Sequence, residues 1–575
     1  MELIIQGTGT LSVTGGTCNY KPGAPGIAVS SSAELSIQNS ASLSVTGGEG
    51  NSGAPGIDVS SGAELSIQNS GSLSVTGGAS SSGSAAPGIA VSSSAELIID
   101  VTGNLSVVGA ARTSGSAAPG IDVTSGGKLT IQGTGKVEVT ASDGYPGAPG
   151  IHLPDGAALL VQGAVELTVK GGDYSVGYAG AGIGGNASYI GVGEACGTVL
   201  ILTTGTTEIK GGDGNPSGTD IGGGRGAAGN GDRGTGISKD SATYAVYGNP
   251  LVLPMDITIP KDVTVTIPGG DSLTVPSGVT LTVNGALTNN GTLTNNSTID
   301  VSGTIDGNGT FDGTGSYSGQ ELVAYRYYDT STQTWIDAKH TATVLTENSS
   351  STWGSAGTTT WYVVNQTTGI TISDRITVSG NVHLILADGC TLNASKGIQL
   401  GSGNSLTIYG QPNGAGQLTA EASDVAIGGG GGLTVHGGTV TATTSGSNST
   451  AIGGDESELA VYGGTVMATT EANSTAIDGI LRSDSLSTGW VTVNGALKAE
   501  HKGFTSGVLV DNGTGTVYGN PTLSEDHKVE SGVIMTIPKG ASLTVPTGTK
   551  LTVNENGTLT NNGTLTVAGT LKGSG

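Results

Sequence analysis

Basic charge is scarce in this chain. Only 21 of its 575 residues are Lys or Arg against 45 Asp or Glu, which gives a formal net charge of −24. A nucleic-acid partner needs clustered Lys and Arg against phosphate, so none is expected. The acidic excess keeps a long β-surface soluble. Cysteine is also rare: Cys18, Cys196 and Cys390 lie far apart and have no paired metal or redox spacing. Long apolar runs are missing, and no stretch of about 18 residues reads as a membrane span. What the chain has in plenty is glycine, 104 residues, but without the three-residue period of collagen. Disorder is a poor reading too, because Val, Ile and Leu recur at regular places.

Those regular places form a repeat. Ile27, Ile57, Ile89, Ile121, Ile151 and Ile183 are 30, 32, 32, 30 and 32 residues apart. Such a period marks a solenoid. Within one unit, Ile57 and Val59, Leu65 and Ile67, and Leu73 and Val75 alternate with polar residues. Period two over three to five residues, broken by Ser-Gly, Asn-Ser and Gly-Gly, predicts three short strands per coil. Ala-Pro-Gly before all of these but Ile183 suits a type II turn with Gly at the positive-φ position. One coil cannot bury its apolar face alone, whereas stacked coils share a core. The fold class is therefore all-β: a parallel β-helix (β-solenoid), expected to wind right-handed. Outward residues then form columns about 4.8 Å apart. One column holds Gln6, Gln38, Gln68, Gln132 and Gln162, interrupted by Asp100; another holds Glu2, Glu34, Glu64 and Glu96, ended by Lys128.

The second half uses other lengths. "AIGG" at Ala426 and Ala451 and "AIDG" at Ala476 recur every 25 residues, while Leu287, Leu293, Ile299, Ile305 and Phe311 are each six apart. Leu559, Leu565 and Leu571 repeat that hexad near the end. Hexads predict narrow coils of about 18 residues, three sides of six. "YGNP" at Tyr247 and again at Tyr518 precedes each narrow section. The expected order is a first β-helix over 1–250, a narrow section over 251–320, an aromatic cap or connector over 321–365, a second β-helix over 366–520 and a second narrow section over 521–575. The connector carries Trp335, Trp353 and Trp361 and suits the covering of an open helix end. The opening text "MELIIQGTGTLSVTGG" aligns with the middle of a unit and has no basic region ahead of an apolar core. The expectation is a piece of a longer protein, with any export signal and anchor outside it.

Text such as "RITVSGNVHLILADGCTLNASKGIQLGSGNSLTIYG" from Arg375, "AGAGIGG" from Ala179 and "GGTVTATT" from Gly437 resembles the repetitive surface proteins of gut-dwelling Gram-positive bacteria. The resemblance covers much of residues 322–500 and the remainder more loosely. It implies an exported, extracellular, surface-displayed protein of the kind labelled adhesin-like or carbohydrate-binding. Its motifs are strand and turn text, so it implies architecture and a binding role but no particular ligand.

Catalysis on a β-helix needs clustered carboxylates, usually with a cationic partner. His152, His340, His383, His436, His501 and His527 are scattered, and Asp374, Arg375 and Asp388 sit in turn text, so no catalytic residue is assigned. No cofactor is required; Ca²⁺ is the candidate ion. Asp213, Asn215, Asp220, Asn230 and Asp232 in "GGDGNPSGTDIGGGRGAAGNGDRGTG" could supply its oxygen ligands, although the same text is turn chemistry. The Gly-Gly to Pro-Gly corner is where the units differ, through "TCNYKP", "EGNS", "ASSSGSA", "RTSGSA", "SDGYP" and "DYSVGYA". Variation confined to one corner lines up along one edge of a solenoid. Tyr20, Lys21, Arg112, Tyr145, Tyr174 and Tyr178 are the candidate ligand-binding residues there, since aromatics stack on sugar rings or anchor a protein partner. The expected function is a non-catalytic adhesin or binding stalk for a host glycan or glycoprotein. The alternatives are a polysaccharide lyase or hydrolase and a binder of host protein such as immunoglobulin.

Overall fold

The computed structural model describes residues 2–573 apart from 40–41, 61, 70, 112–116, 189–192, 227–228, 231–233, 241–242, 455, 472–473 and 486. The described residues form strands and turns with no helix. They divide into two compact units, one of residues 1–304 and 309–318, the other of 305–308 and 319–575. The chain is a parallel β-helix in repeat form.

In the first unit, three parallel sheets stack the three strands of each coil. Leu35, Leu65, Leu97, Leu129 and Leu159 lie in register down one sheet, with Ile37, Ile67, Ile99, Ile131 and Val161 two residues on. A second sheet stacks Leu43, Leu73, Leu105, Val137 and Leu167. The third stacks Ile27, Ile57, Ile89, Ile121, Ile151, Ile183 and Ile221. These inward residues make one continuous core in which Ile57 through Ile183 of the third sheet are 0% exposed. Fully burying one such side chain is worth about 1.5–3 kcal/mol, and every coil adds six. Outside, the Gln and Glu columns fall in register as the spacing predicts. The Gln162 amide donates to Gln132 Oε1 at 2.8 Å, one rung of a side-chain ladder.

One expectation fails. The glycines of the Pro-Gly corner do not adopt positive φ; that region is taken by Ser32, Gly62, Ser94, Gly126 and Gly156, in the tight turn between the first two strands of each coil. The Pro-Gly glycine is there for space. A Cβ on Gly120 would stand 2.6 Å from Val139 Cγ1 and 3.0 Å from the carbonyl oxygens of Gly150 and Thr140. Stacked coils approach so closely at this corner that no side chain fits.

The narrow coils have the expected size. Leu281, Ile299 and Tyr317 stack 18 residues apart, as do Leu293 and Phe311. Asn289 and Asn295 of the "TNN" text turn inward, 0% and 1% exposed. Each donates its amide to a carbonyl one coil on, Thr310 at 2.8 Å and Ser316 at 3.0 Å. Burying them costs little because both ends of each amide are bonded.

In the second unit, Ile427, Ile452 and Ile477 of the 25-residue repeat stack directly. The aromatic connector is part of this helix. Glu321–Asp329 and Thr334–Val344 form an antiparallel hairpin, and Thr352–Val364 is the first rung, paired in parallel with Ile376–Leu386. Trp353, 1% exposed, sits in the main core at that first rung. The hairpin covers the rung's edge through Thr343 and Val344, and it also lies along the flank. There Val323, Tyr325, Ala342, Val363, Ile385 and Tyr409 make a second, smaller core. The connector is thus a side cover as much as an end cap.

Candidate functional site

The variable corner of the first unit is ordered by its own stacking. Cys18, Gly50 and Ser80 bridge one another in parallel across three coils, and Tyr174 bridges Gly214. Later in the helix this stacking builds an acidic column. Asp143 Oδ1 accepts the Asp173 amide at 2.8 Å, and Asp173 Oδ1 accepts the Asp213 amide at 2.7 Å. Each carboxylate thereby fixes the next coil's corner. Asp173 Oδ2 accepts from Lys170 Nζ at 2.8 Å. Partial burial works against the charged form of Asp173, but Lys170 and the Asp213 amide outweigh it and hold the pKa below the usual carboxylate value.

Beside this column stand two tyrosines. Tyr145 is 41% exposed and meets Tyr174 edge to face, with ring centroids 5.1 Å apart at 61°. The pair offers an aromatic platform flanked by Asp143, Asp173 and Lys170, groups able to accept from and donate to hydroxyls. Tyr178 is half-buried on the same corner segment as Tyr174. Tyr20 and Lys21 are exposed, Tyr20 to 90%, but precede Tyr145 by four coils, about 19 Å along the helix. Arg112 lies outside the described residues. The structure therefore brings Tyr145 and Tyr174 together and leaves Tyr20 and Lys21 apart from them.

The proposed calcium ligands are used differently. The Asp213 backbone joins the acidic column, Asp220 Oδ1 accepts the Gly211 amide at 3.1 Å, and the Asn215 amide donates to the Gly177 carbonyl at 3.1 Å. The Asn230 side chain and Asp232 lie outside the described residues. No group of three His, Cys, Asp or Glu placed to hold a metal occurs among the described residues.

Two constellations escape a linear reading. His152 follows Asp122 in the same outward column, and the coil from Ile183 to Ile221 carries an insertion that brings Glu194 over it. Nδ1 lies 2.6 Å from Asp122 Oδ1 and Nε2 lies 2.8 Å from Glu194 Oε2. Burial alone would lower the His152 pKa, but hydrogen bonds to Asp122 and Glu194 raise it to about 9. The bond from His152 in turn lowers the Glu194 pKa. With both ring nitrogens engaged, the imidazolium is a clamp on the inserted segment. His152→Ala is expected to lower the stability of this unit by about 2–3 kcal/mol, below the full buried-pair cost because the carboxylates are 31% and 43% exposed. Thermal unfolding of the variant checks this.

The second constellation lies in the other unit. Three of the histidines that are scattered in sequence join one stack on the helix flank. His340 lies 3.9 Å from Trp361, Trp361 4.3 Å from His383 and 5.2 Å from Tyr409, Tyr409 5.2 Å from His436, and His436 5.1 Å from Tyr462, centroid to centroid. His436 Nδ1 accepts the Tyr328 amide at 3.1 Å, which requires that nitrogen to be unprotonated. Burial lowers the pKa of His340 and His383 to about 4 and that of His436 to about 3. Near the end of the same unit, His527 stacks on Trp490 at 4.6 Å and burial lowers it to about 4. Glu525 moves the other way: burial raises it to about 7, while Thr465 donates to its Oε1 at 3.0 Å.

No family model matches the chain, and no curated protein matches it.

Proposed function

We propose that the chain is a non-catalytic β-solenoid region of an extracellular bacterial surface protein that binds host glycan or glycoprotein along its variable corner. The observation that carries this reading is the Tyr145–Tyr174 pair beside Asp143, Asp173 and Lys170. It stands where the repeat text changes, and it combines an aromatic face with acceptors and a donor. Binding of this kind is spread over several weak contacts around the one pair.

A polysaccharide-processing enzyme is the second reading. Glu525 favours it, because a carboxyl group held near pH 7 suits a general acid. A glycan array beside a pull-down from host secretions separates glycan from protein partners. Incubation with pectins and mucin glycans, with and without Ca²⁺, is expected to give no new reducing ends and no unsaturated products. Appearance of either would replace the binding reading with the enzymatic one.

A further inference from the structure

The segment that follows each Gly-Asn-Pro is built to one plan. Leu253 and Leu523 are buried and donate their amides to the Thr274 and Thr544 carbonyls at 3.0 and 2.9 Å. Asp256 and Asp526 each accept, through Oδ1, the amide of the residue 24 positions on: Thr280 at 2.8 Å and Lys550 at 2.7 Å. Between these anchors the copies differ. Met255 in the first unit stands where the second has Glu525, and both side chains are half-buried. A place that takes an apolar side chain in one copy therefore holds a carboxyl group in the other.

Glu525 is seated against the flank of its own wide helix. Thr465 donates to its Oε1 at 3.0 Å, and Oε2 lies where a Cβ on Gly414 would meet it at 2.3 Å. Beside it, Ser524 accepts from Thr488 at 3.2 Å. No Lys, Arg or His forms an ion pair with Glu525 among the described residues. From the opposite turn Asp388 brings a second carboxylate, which accepts the amides of Asn413 and Ala415 at 3.4 and 3.0 Å. His436 lines the same slot and is neutral, since its Nδ1 accepts the Tyr328 amide. Arg326, on the hairpin, also lines it, but Asp337 holds its guanidinium at 2.6 and 2.8 Å. On the segment itself, Asp526 lies 3.4 Å from Lys550, and buried His527 is neutral.

An ionised Glu525 in this seat is partly withdrawn from water, near two aspartates, with one hydroxyl for a partner. Burial raises its pKa to about 7; the Thr465 bond works against the rise, and Asp388 and Asp526 add to it. We propose that Ser524 and Glu525 form a pH-released clasp, which holds the start of the narrow section on the wide-helix flank while Glu525 is protonated and lets go when it ionises. The seated carboxyl has the higher pKa, so seating is favoured in acid and is lost as the pH rises from 4.5 to about 7. Leu523 and Asp526 stay anchored on either side, and the two residues between them swing out. Closed, the slot holds ≈ 30 Å³, room for about one water. Release opens its glycine floor, Gly414, Gly437 and Gly464 among others, and bares the His436 ring. The clasp assigns Glu525 to a contact within the chain and needs neither the corner tyrosines nor a substrate.

Hydrogen exchange of the full chain at pH 6 and pH 8, corrected for intrinsic rates and read by mass spectrometry, tests the clasp. The amides of residues 411–415 and 522–526 are expected to lose protection about tenfold at pH 8 relative to pH 6. The buried histidines of this unit act in the opposite direction, so global opening does not mimic that loss. Glu525→Gln keeps an acceptor for Thr465 but cannot ionise, and Glu525→Met installs the side chain of the first copy. Both variants are expected to abolish the difference between the two pH values. Three results overturn the proposal: protection of these segments that does not fall at pH 8, a fall that persists in both variants, or a fall shared equally by the strands of the wide helix.

Discussion

Between pH 6.5 and pH 4, the unit of residues 319–575 is expected to unfold while the unit of residues 1–304 stays folded. The sign follows from where each histidine stands. His340, His383, His436 and His527 have folded pKa values of about 4, 4, 3 and 4, below the unfolded value of 6.5. As the pH falls through 6.5, the unfolded chain takes up protons that the folded chain refuses, and stability drops until the folded values are reached. Each group is worth on the order of 3 kcal/mol over its interval. Glu525 opposes them, since a carboxyl raised to about 7 stabilises the folded form as it protonates, and it offsets one histidine. Three histidines remain, against a total domain stability of about 5–15 kcal/mol. His152 has the reverse sign: its stabilising effect is fully present below 6.5 and is lost as the pH rises through about 9. The first unit is therefore spared in mild acid until the Glu194 carboxylate protonates. All four tryptophans, Trp335, Trp353, Trp361 and Trp490, lie in the second unit, so their fluorescence reports it alone. Native tryptophan emission persisting at pH 4 would contradict the expectation.

Gly120→Val is expected to cost about 3 kcal/mol or more, whereas Gly62→Ser is expected to cost about 1 kcal/mol. The two glycines serve different needs. At Gly120 the obstacles are Val139 in the core and two backbone carbonyls of neighbouring coils, none of which can move without breaking the stack. Gly62 has φ of 69° but meets nothing closer than 3.7 Å, and its column mates Ser32 and Ser94 already hold φ of 54° and 61°. Chemical denaturation followed by far-UV circular dichroism measures both. Equal costs would mean that conformational freedom, and not the close approach of coils, keeps glycine in the Pro-Gly corner.

These glycines also mark how far the sequence can be read. The isoleucine period gives the coil, the register and the core directly, because each coil buries the same positions and a slip of one residue would turn them outward. The hexads give the narrow coil for the same reason. The Pro-Gly text reads equally well as a turn or as a tight contact, and only the stacked neighbours decide between them. The Asp122–His152 pair was legible in principle, since the two residues share a column 30 residues apart, but Glu194 reaches them from an insertion with no repeat counterpart. Tyr409, His436 and Tyr462 share the text "LTIYG", "LTVHG" and "LAVYG" at intervals of 27 and 26 residues, whereas His340, Trp361 and His383 carry none of it. All six meet because successive coils and a flanking hairpin present them to one side. At the corner, the change of text from unit to unit located Tyr145 and Tyr174, while the aspartate column beside them depends on backbone amides that no side-chain pattern reveals.

If the repeated text is scaffold and the corner carries recognition, changing each should have separable effects. The direct measurement is the binding isotherm of immobilised mucin glycans with the unaltered chain, with Tyr145→Ala/Tyr174→Ala, and with Glu64→Ser in the repeated outward column. The predicted result is binding lost at least tenfold in the double tyrosine variant and unchanged in Glu64→Ser, with both variants melting as the parent does. Binding that survives loss of both tyrosines, or that falls with Glu64→Ser, would contradict the account.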